Sequence, residues 1–161
     1  MAKLLIVYHS RTGGTRQMAE AAAEAAGKET DTLLKRAEDT GPEDLLGADG
    51  YLFAAPENLA ALSGEMKEFF DRCYYPVLGQ IEGRPYALMI CAGSDGEGAA
   101  RQAARIATGW RLKEAQPPLI INTAAQTPED ILAEKTIPEE DLQKCRDLGA
   151  ALGAGLAMGI Y

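Results

Sequence analysis

The sequence predicts a doubly wound α/β fold, in which helices cover both faces of a parallel sheet of five strands. Short apolar runs alternate along the chain with longer segments whose apolar residues recur at helical spacing. Strands separated by helices imply right-handed crossovers, which make the strands parallel and place helices on both faces. No internal repeat or low-complexity linker interrupts the 161 residues, so we expect residues 1–161 to form one domain with a full hydrophobic core.

Five short runs predict the strands. Most of them consist of aliphatic, aromatic and small residues, a composition typical of strands that are buried on both faces. The second run, DTLLK, is more polar and is therefore expected at or near an edge of the sheet. Pro56 is expected to end the third strand, because proline lacks a backbone N–H. The predicted strands are Leu4–Tyr8, Asp31–Lys35, Gly50–Ala55, Tyr86–Ala92 and Leu119–Asn122.

Helical periodicity and capping signals predict five helices. Thr40 and Glu43 have the spacing of a capping box. Ser63 is of a residue type that caps helices, and Pro138 precedes three acidic residues that favour a helix N-terminus. The predicted helices are Gly14–Ala26, a short helix between Thr40 and Gly47, one that follows Ser63, one that carries residues 99–110, and one that begins near Pro138.

The composition argues against several classes of function. A formal net charge of −8 disfavours nucleic acid and anionic membranes as partners; it fits either a solvated surface or an acidic face that docks a basic protein. No apolar segment approaches a membrane span, and the N-terminus lacks the layout of a signal peptide. Three cysteines without a CxxC pair indicate reduced thiols in a cytoplasm. His9 is the single histidine, which argues against a histidine-based metal site.

The segment Ser10-Arg11-Thr12-Gly13-Gly14-Thr15 joins the first strand to the first helix. Hydroxyls and free backbone N–H groups at the positive end of a helix are the chemistry of a phosphate-binding loop. The segment lacks the lysine of a P-loop, the GxGxxG pattern of a dinucleotide site and the cysteine nucleophile of a small phosphatase. The third strand also lacks the terminal aspartate of a signalling receiver domain. The loop is therefore predicted to hold one phosphate monoester without cleaving it.

Two segments carry a resemblance to a known superfamily. Residues 10–15 match the S/T-x-T-G-x-T phosphate loop of the flavodoxin-like superfamily, in the expected place between strand and helix. The stretch PENLAALSGEMKEFFDR, Pro56–Arg72, resembles a loop and helix of the NAD(P)H-dependent FMN and quinone reductase branch. The order of elements is similar over nearly the whole chain. The resemblance implies a flavodoxin-like three-layer sandwich with strand order 2-1-3-4-5, and FMN as the cofactor.

The resemblance also implies roles for three loops. In the first loop, the hydroxyls of Ser10, Thr12 and Thr15 donate to the FMN phosphate. The two glycines, Gly13 and Gly14, let the backbone approach it, and the N–H groups of residues 11–15 complete the shell. Arg11 either reaches a phosphate of FMN or of the nicotinamide cofactor, or is solvated, and His9 is expected to be structural. The second and third loops lie along the flavin, without a catalytic acid or base; their residues are Pro56, Glu57, Asn58 and Leu59, then Ala92, Gly93, Ser94 and Asp95.

Three functions are weighed on these residues. The first is an FMN-binding oxidoreductase that moves electrons from NAD(P)H through FMN to a quinone, a free flavin or a similar acceptor. The second is a flavodoxin-type electron carrier that docks redox proteins. The acidic surface favours the carrier, whereas the lack of Trp and Tyr in both flavin loops and the SGEMKEFFDR helix favour the reductase. The third is a flavin-free scaffold, which the complete phosphate loop disfavours. Whether the protein forms a homodimer is left open by the sequence.

Overall fold

The structure is a computed structural model that describes residues 1–161. Its strands are β1 (Lys3–Tyr8), β2 (Asp31–Arg36), β3 (Gly50–Asn58), β4 (Ala61–Leu62), β5 (Pro85–Ala92), β6 (Lys113–Glu114) and β7 (Leu119–Asn122). Its α-helices are α1 (Gly14–Gly27), α2 (Pro42–Leu46), α3 (Gly64–Val77), α4 (Glu97–Gly109), α5 (Pro128–Leu132) and α6 (Glu139–Met158). A single 3₁₀ turn at Ala37–Asp39 follows β2.

The five long strands form a parallel sheet in the order β2-β1-β3-β5-β7. Numbered along the chain, these strands have the order 2-1-3-4-5 that the resemblance implies. β2 pairs only with β1, so the prediction of a polar edge strand is confirmed. The opposite edge is split, because β6 pairs with the start of β5 and β7 with its end. The sequence predicts neither β6 nor β4, which pairs antiparallel with the end of β3, since two residues are too short to give a pattern.

Alternate residues of the strands point to opposite faces of the sheet and build two hydrophobic cores. Leu5 and Val7 of β1 pack with Phe53 on the face covered by α3 and α4. Leu4 and Ile6 pack on the other face, which α1 and α6 cover. Both faces are covered, as the nearly continuous apolar runs predict. The carboxyl ends of the strands are therefore the place where loops can form a site.

Helices α1 and α6 approach each other closely because small residues line their contact. A side chain at Gly149 would overlap the backbone carbonyl of Ala22. A side chain at Gly153 would place its Cβ 3.1 Å from the carbonyl oxygen of Ala26. Ala22 and Ala26 are fully buried, so the α1 side of this contact has no volume to spare. The close fit fixes α6 on the helix that follows loop 10–15.

The prediction that Pro56 ends the third strand is wrong. β3 continues to Asn58, and Pro56 stays in register with Cys91 of β5. Proline is tolerated here because the pairing of β3 with β1 has already ended at Ala54, so no strand on that side needs its missing N–H. The Pro56 carbonyl accepts a hydrogen bond from the Ser63 N–H at 3.2 Å, which closes the turn that contains β4.

The cap of α2 lies one residue later than predicted. Gly41 precedes the helix, and its N–H donates to the Asp44 carboxylate at 2.9 Å. The Thr40 hydroxyl instead donates to the Arg36 carbonyl at 2.7 Å. Because Glu43 and Asp44 are adjacent acidic residues, the sequence allows a capping box that begins at Thr40 or one that begins at Gly41. The ion pair of Asp44 with Lys35, at 2.8 Å, selects the box that begins at Gly41.

We expect Gly149→Ala to lower the free energy of unfolding by about 1–3 kcal/mol, because the added methyl forces α1 and α6 apart. Gly27→Ala is the matched control, since nothing lies within 4 Å of the position that its Cβ would take. It should cost less than about 0.5 kcal/mol. Urea unfolding of both variants measures the difference. Equal stability of the two variants would show that the helix contact is not tight.

Candidate functional site

The carboxyl ends of the central strands open into a cavity of about 430 Å³. Loop 10–15 lies at one end, and the loops after β3 and β5 form the walls. The predicted site residues that line it are Ser10, Arg11, Thr12, Gly14, Thr15, Pro56, Glu57, Asn58, Leu59, Ala92, Gly93 and Ser94. Gly13 lines an adjoining groove instead. Asp95 lines neither space, because the chain turns towards α4 at Gly96, where φ is +93°, and leaves Asp95 exposed.

Loop 10–15 is shaped to present the N-terminus of α1 to this cavity. Gly13 has a φ of 90°, in the left-handed region that glycine adopts without strain. Its N–H donates to the Ser10 hydroxyl oxygen at 3.1 Å, which tightens the turn. The first N–H groups of α1 have no carbonyl partner within the helix. Together with the positive end of the helix dipole, they form a site for an anion.

The Thr15 hydroxyl favours a polar ligand in the loop. Thr15 is 2% exposed, and its Oγ1 has no oxygen or nitrogen partner; only the Cys91 thiol, a weak hydrogen-bonding group, lies beside it. An unpaired buried hydroxyl costs about 1–3 kcal/mol, so it is expected to be satisfied by a bound group. A Cβ at Gly14 would come within 2.8 Å of the Cys91 sulfur, so only glycine fits beside this hydroxyl. The hydroxyls and N–H groups of the loop fit a phosphate monoester.

The Cys91 thiol, at the end of β5, also lies in this part of the cavity. The sequence excludes a cysteine nucleophile within loop 10–15. It does not predict that a cysteine of another strand lies beside this loop. Burial raises the pKa of the Cys91 thiol, although the charge of Lys135 and the neighbouring Thr15 hydroxyl oppose this effect. The thiol is therefore protonated near neutral pH, and a protonated thiol is a poor nucleophile. The chemistry of the cavity therefore fits binding of a phosphate better than attack on it.

Glu57 connects the second and third loops. Its carboxylate accepts hydrogen bonds from the N–H groups of Gly96 at 2.8 Å and Ala99 at 3.1 Å, so it caps α4 from outside that helix. A side chain at Gly98 would overlap the Ala60 carbonyl, which shows how closely α4 approaches the β3–β4 turn. The Leu62 N–H donates to the Gln102 side chain on the same helix at 2.8 Å. The loops after β3 and β5, which form the two walls of the cavity, are therefore connected to each other by hydrogen bonds.

The tip of the β3–β4 turn carries an apolar side chain over the cavity. Leu59 and Ala60 both have positive φ, 53° and 66°. Non-glycine residues rarely take this conformation, and its cost is offset here by the bonds that hold the turn to α4. The Leu59 side chain is fully exposed although it lines the cavity. No Phe, Tyr or Trp lines the cavity, so aliphatic side chains alone are available to cover a flat ligand.

His9 links the first two loops and is structural, as predicted. The ring is 7% exposed. Its Nδ1 lies 2.8 Å from the Ser63 hydroxyl and its Nε2 lies 2.6 Å from the Glu65 carboxylate. Ser63 precedes α3, but its hydroxyl binds His9 and makes no capping bond, which corrects the prediction of a side-chain cap. Both ring nitrogens are occupied, so His9 ties loop 10–15 to α3.

Residues 123–137, between β7 and α6, complete the cavity, and the sequence gives no motif for them. Thr123, Ala125, Ile131 and Lys135 line its remaining side. The Lys135 ammonium lies 3.4 Å from the Thr12 hydroxyl. A lysine in an irregular segment carries no local signal of a binding role. Its position becomes visible only when the fold brings this segment onto loop 10–15.

Three arginines surround a second, polar groove of about 510 Å³ beside the loop. Arg16 is paired with Glu20 at 3.3 Å, and Arg36 with Asp39 at 3.0 Å. Arg11 lines both this groove and the main cavity. It forms no ion pair and is exposed, so both roles predicted for it, phosphate contact and solvation, are compatible with its position.

Sequence comparison finds relatives of part of the chain. The model of a family described as NADPH-dependent FMN reductase matches residues 42–118. A flavodoxin of Aquifex aeolicus is 37% identical over 100 residues, which cover 61% of this chain and 54% of that protein. An NAD(P)H dehydrogenase (quinone) of Acidithiobacillus ferrooxidans is 33% identical over 94 residues, which cover 45% of this chain and 47% of that protein. The chain thus spans about half the length of the curated relatives that it matches.

Structural comparison covers nearly the whole chain. A solved flavodoxin from the domain Archaea aligns with a TM-score of 0.77 at 19% identity, over 96% of this chain and 98% of that one. The likeness shows that the two proteins share a fold. None of the helices has the length and apolar character required to cross a membrane. No group of three or more His, Cys, Asp or Glu side chains is placed to hold a metal ion.

Replacing Glu57 should weaken the connection between the two loops. We expect Glu57→Gln to lower the free energy of unfolding by about 1–2 kcal/mol, because the amide accepts fewer and weaker hydrogen bonds than the carboxylate. Amide hydrogen exchange should speed up at Gly96 and Ala99. Glu97→Gln is the control, since Glu97 lies in the first turn of α4 and makes no side-chain hydrogen bond. If both variants exchanged alike, Glu57 would not be the cap.

Proposed function

We propose that the chain is a member of the flavodoxin-like superfamily and an FMN-dependent oxidoreductase that transfers electrons from NAD(P)H to a quinone, a free flavin or a similar acceptor; the partial matches to reductases and the shared fold support this. The observation that carries the proposal is the buried Thr15 hydroxyl without a partner, at the start of a helix whose N–H groups face the cavity. The match to the NADPH-dependent FMN reductase family supports FMN as the ligand.

The residues of the cavity would hold FMN at two ends. Ser10, Thr12 and Thr15, with the first N–H groups of α1, would bind the phosphate. The walls after β3 and β5, which include Leu59 and Gly93, would position the ring. Bound FMN supplies the redox chemistry, and the protein orients it and excludes water. No side chain of the cavity is assigned as an acid or base, since Glu57 is occupied as a cap.

The lining of the cavity favours a reductase. Aromatic side chains that stack on a flat ring contribute about 1–3 kcal/mol each in comparable base-stacking sites, and they also block the face that they cover. No aromatic residue lines this cavity. A ring held by aliphatic side chains keeps one face open for a planar nicotinamide, as hydride transfer requires. This supports a small-molecule donor.

A second candidate is a flavodoxin-type electron carrier. The relative from Aquifex aeolicus is described as a flavodoxin, and the formal net charge of −8 suits docking to a basic redox protein. The two candidates differ in one property. A carrier exchanges electrons with proteins, whereas the reductase accepts electrons directly from a nicotinamide.

We also propose a cytoplasmic location and a protein without nucleic-acid or membrane partners. Cys73, Cys91 and Cys145 are all free and buried, which fits a reducing compartment. The acidic net charge disfavours anionic surfaces. A homodimer is compatible with the proposal, in which both loops around the ring would remain accessible from the cavity mouth.

FMN should bind with micromolar or better affinity, and riboflavin much more weakly. The phosphate gains several charge-assisted hydrogen bonds, each worth about 1.5–3 kcal/mol. Thr12→Ala should weaken FMN binding about ten-fold and leave riboflavin binding unchanged. Thr108→Ala is the control, because its hydroxyl bonds only to the Ala104 carbonyl on α4. Titration calorimetry measures the affinities of all three proteins for both ligands. Equal affinity of the wild type for FMN and riboflavin would remove the phosphate assignment.

NADH or NADPH should bleach the flavin absorbance of the FMN-loaded protein directly in anaerobic stopped flow, and a quinone should restore it. Leu59→Trp should tighten FMN binding and slow the bleaching, because an indole covers the open face of the ring. Leu78→Trp is the control, since this exposed side chain lines neither the cavity nor the adjoining groove. A flavin that dithionite reduces but neither nicotinamide reduces within minutes would assign the protein to the electron carriers.

A further inference from the structure

Residues 123–137, here called the strap, are bound to loop 10–15 and to α1 by three hydrogen bonds of the strap backbone. The Lys135 N–H donates to the Thr12 carbonyl at 2.8 Å. The Gln17 side chain of α1 donates to the Lys135 carbonyl at 2.7 Å and accepts from the Ile137 N–H at 2.9 Å. The strap therefore has a fixed position over the loop, and Lys135 lies at its point of contact.

The Lys135 ammonium is held in place by oxygen atoms that carry no net charge. It donates to the backbone carbonyls of Asp130 at 2.8 Å, Ile131 at 3.0 Å and Ala133 at 2.6 Å. The Thr12 hydroxyl lies 3.4 Å away. No carboxylate pairs with this ammonium, in contrast to Arg16 and Arg36 in the adjoining groove. The strap therefore keeps a full, unneutralised positive charge beside the loop.

Arg11 is the one charged side chain of the loop itself, and it is exposed to solvent, whereas the groups of the loop beside Thr15 are neutral. A phosphate monoester carries about −1.5 to −2 charges near neutral pH. The loop offers it hydroxyls and backbone N–H groups, and the protein around it has a formal net charge of −8. The unpaired Thr15 hydroxyl lies in the same part of the cavity, which Lys135 also lines. A cation at this position offsets the repulsion that the acidic protein exerts on the ligand.

We propose that Lys135 is the cation of the phosphate site, held there by the strap, and that it makes the cavity select ligands with a terminal phosphate dianion. This inference rests on the proposed FMN function and names the residue that gives the site its charge selectivity. The strap then has two separable roles: its backbone closes the cavity, and its lysine attracts the phosphate. A cation that belongs to the phosphate site should raise the affinity for FMN and not the affinity for riboflavin, because riboflavin has no phosphate.

The test compares the affinities of FMN and riboflavin in Lys135→Met by fluorescence titration. We expect FMN binding to weaken about ten-fold or more, with riboflavin binding unchanged. Raising the salt concentration from about 0.02 M to about 0.2 M should weaken FMN binding to the wild type more than to this variant, because salt screens the lost interaction. Lys135→Arg, which keeps the charge, should recover part of the FMN affinity.

Two further variants separate the charge from other effects. Lys113→Met removes an exposed lysine of β6, so it changes the net charge equally and should leave FMN binding unchanged. Gln17→Leu removes two bonds of the strap but keeps the ammonium. It should weaken FMN binding less than Lys135→Met does, because the ammonium and its carbonyl partners remain in the strap.

The outcomes distinguish this inference from the proposed function. An unchanged FMN affinity in Lys135→Met, or an equal loss for FMN and riboflavin, would show that Lys135 only fastens the strap and would overturn the inference. If the wild type bound no FMN, the proposed function would fail instead. Thermal stabilisation of the wild type, but not of Lys135→Met, by inorganic phosphate would then still support Lys135 as the cation of an anion site.

Discussion

The start of α1 is the constraint on which the rest of the site depends. Gly13 takes a positive φ, and a Cβ at Gly14 would press against the Cys91 sulfur and lie 3.4 Å from the Cβ of Lys135. Because both positions are glycine, the helix begins directly against the end of β5, with its free N–H groups facing the cavity. The loop, the central strand and the strap all meet at this point. A side chain at residue 14 would separate three elements at once.

Two side chains that resemble catalytic groups serve instead to set the width of the cavity. Glu57 caps α4 from the end of β3, and His9 joins the end of β1 to Ser63 and Glu65 at the start of α3. Their polar atoms are occupied by these bonds. They therefore position the backbone on both sides of the cavity. Such an arrangement suits chemistry that belongs to a bound cofactor.

The charges of the molecule are distributed unevenly around the site. The chain is acidic overall, yet Arg11, Arg16, Arg36 and Lys135 all line the cavity or its adjoining groove. Two of the arginines are neutralised by neighbouring carboxylates. The lysine is not, because its partners are backbone carbonyls. An acidic surface and an anion site are thus compatible, since the relevant cation is local and held in position.

The sequence by itself determined the fold class, the edge position of β2 and the phosphate loop, because each depends on a local pattern of burial, periodicity or backbone freedom. It did not determine that β3 passes through Pro56, since that depends on where β1 stops pairing. Nor did it determine the cap of α2, which an ion pair with Lys35 selects. Cys91, Lys135 and the role of Glu57 arise from contacts between segments far apart in the chain. The packing of α6 on α1, through Gly149 and Ala22, and the hydrogen bonds of the strap to Thr12 and Gln17 bring the strap onto the loop. Local sequence sets which conformation a segment prefers, whereas the tertiary structure decides which side chains meet.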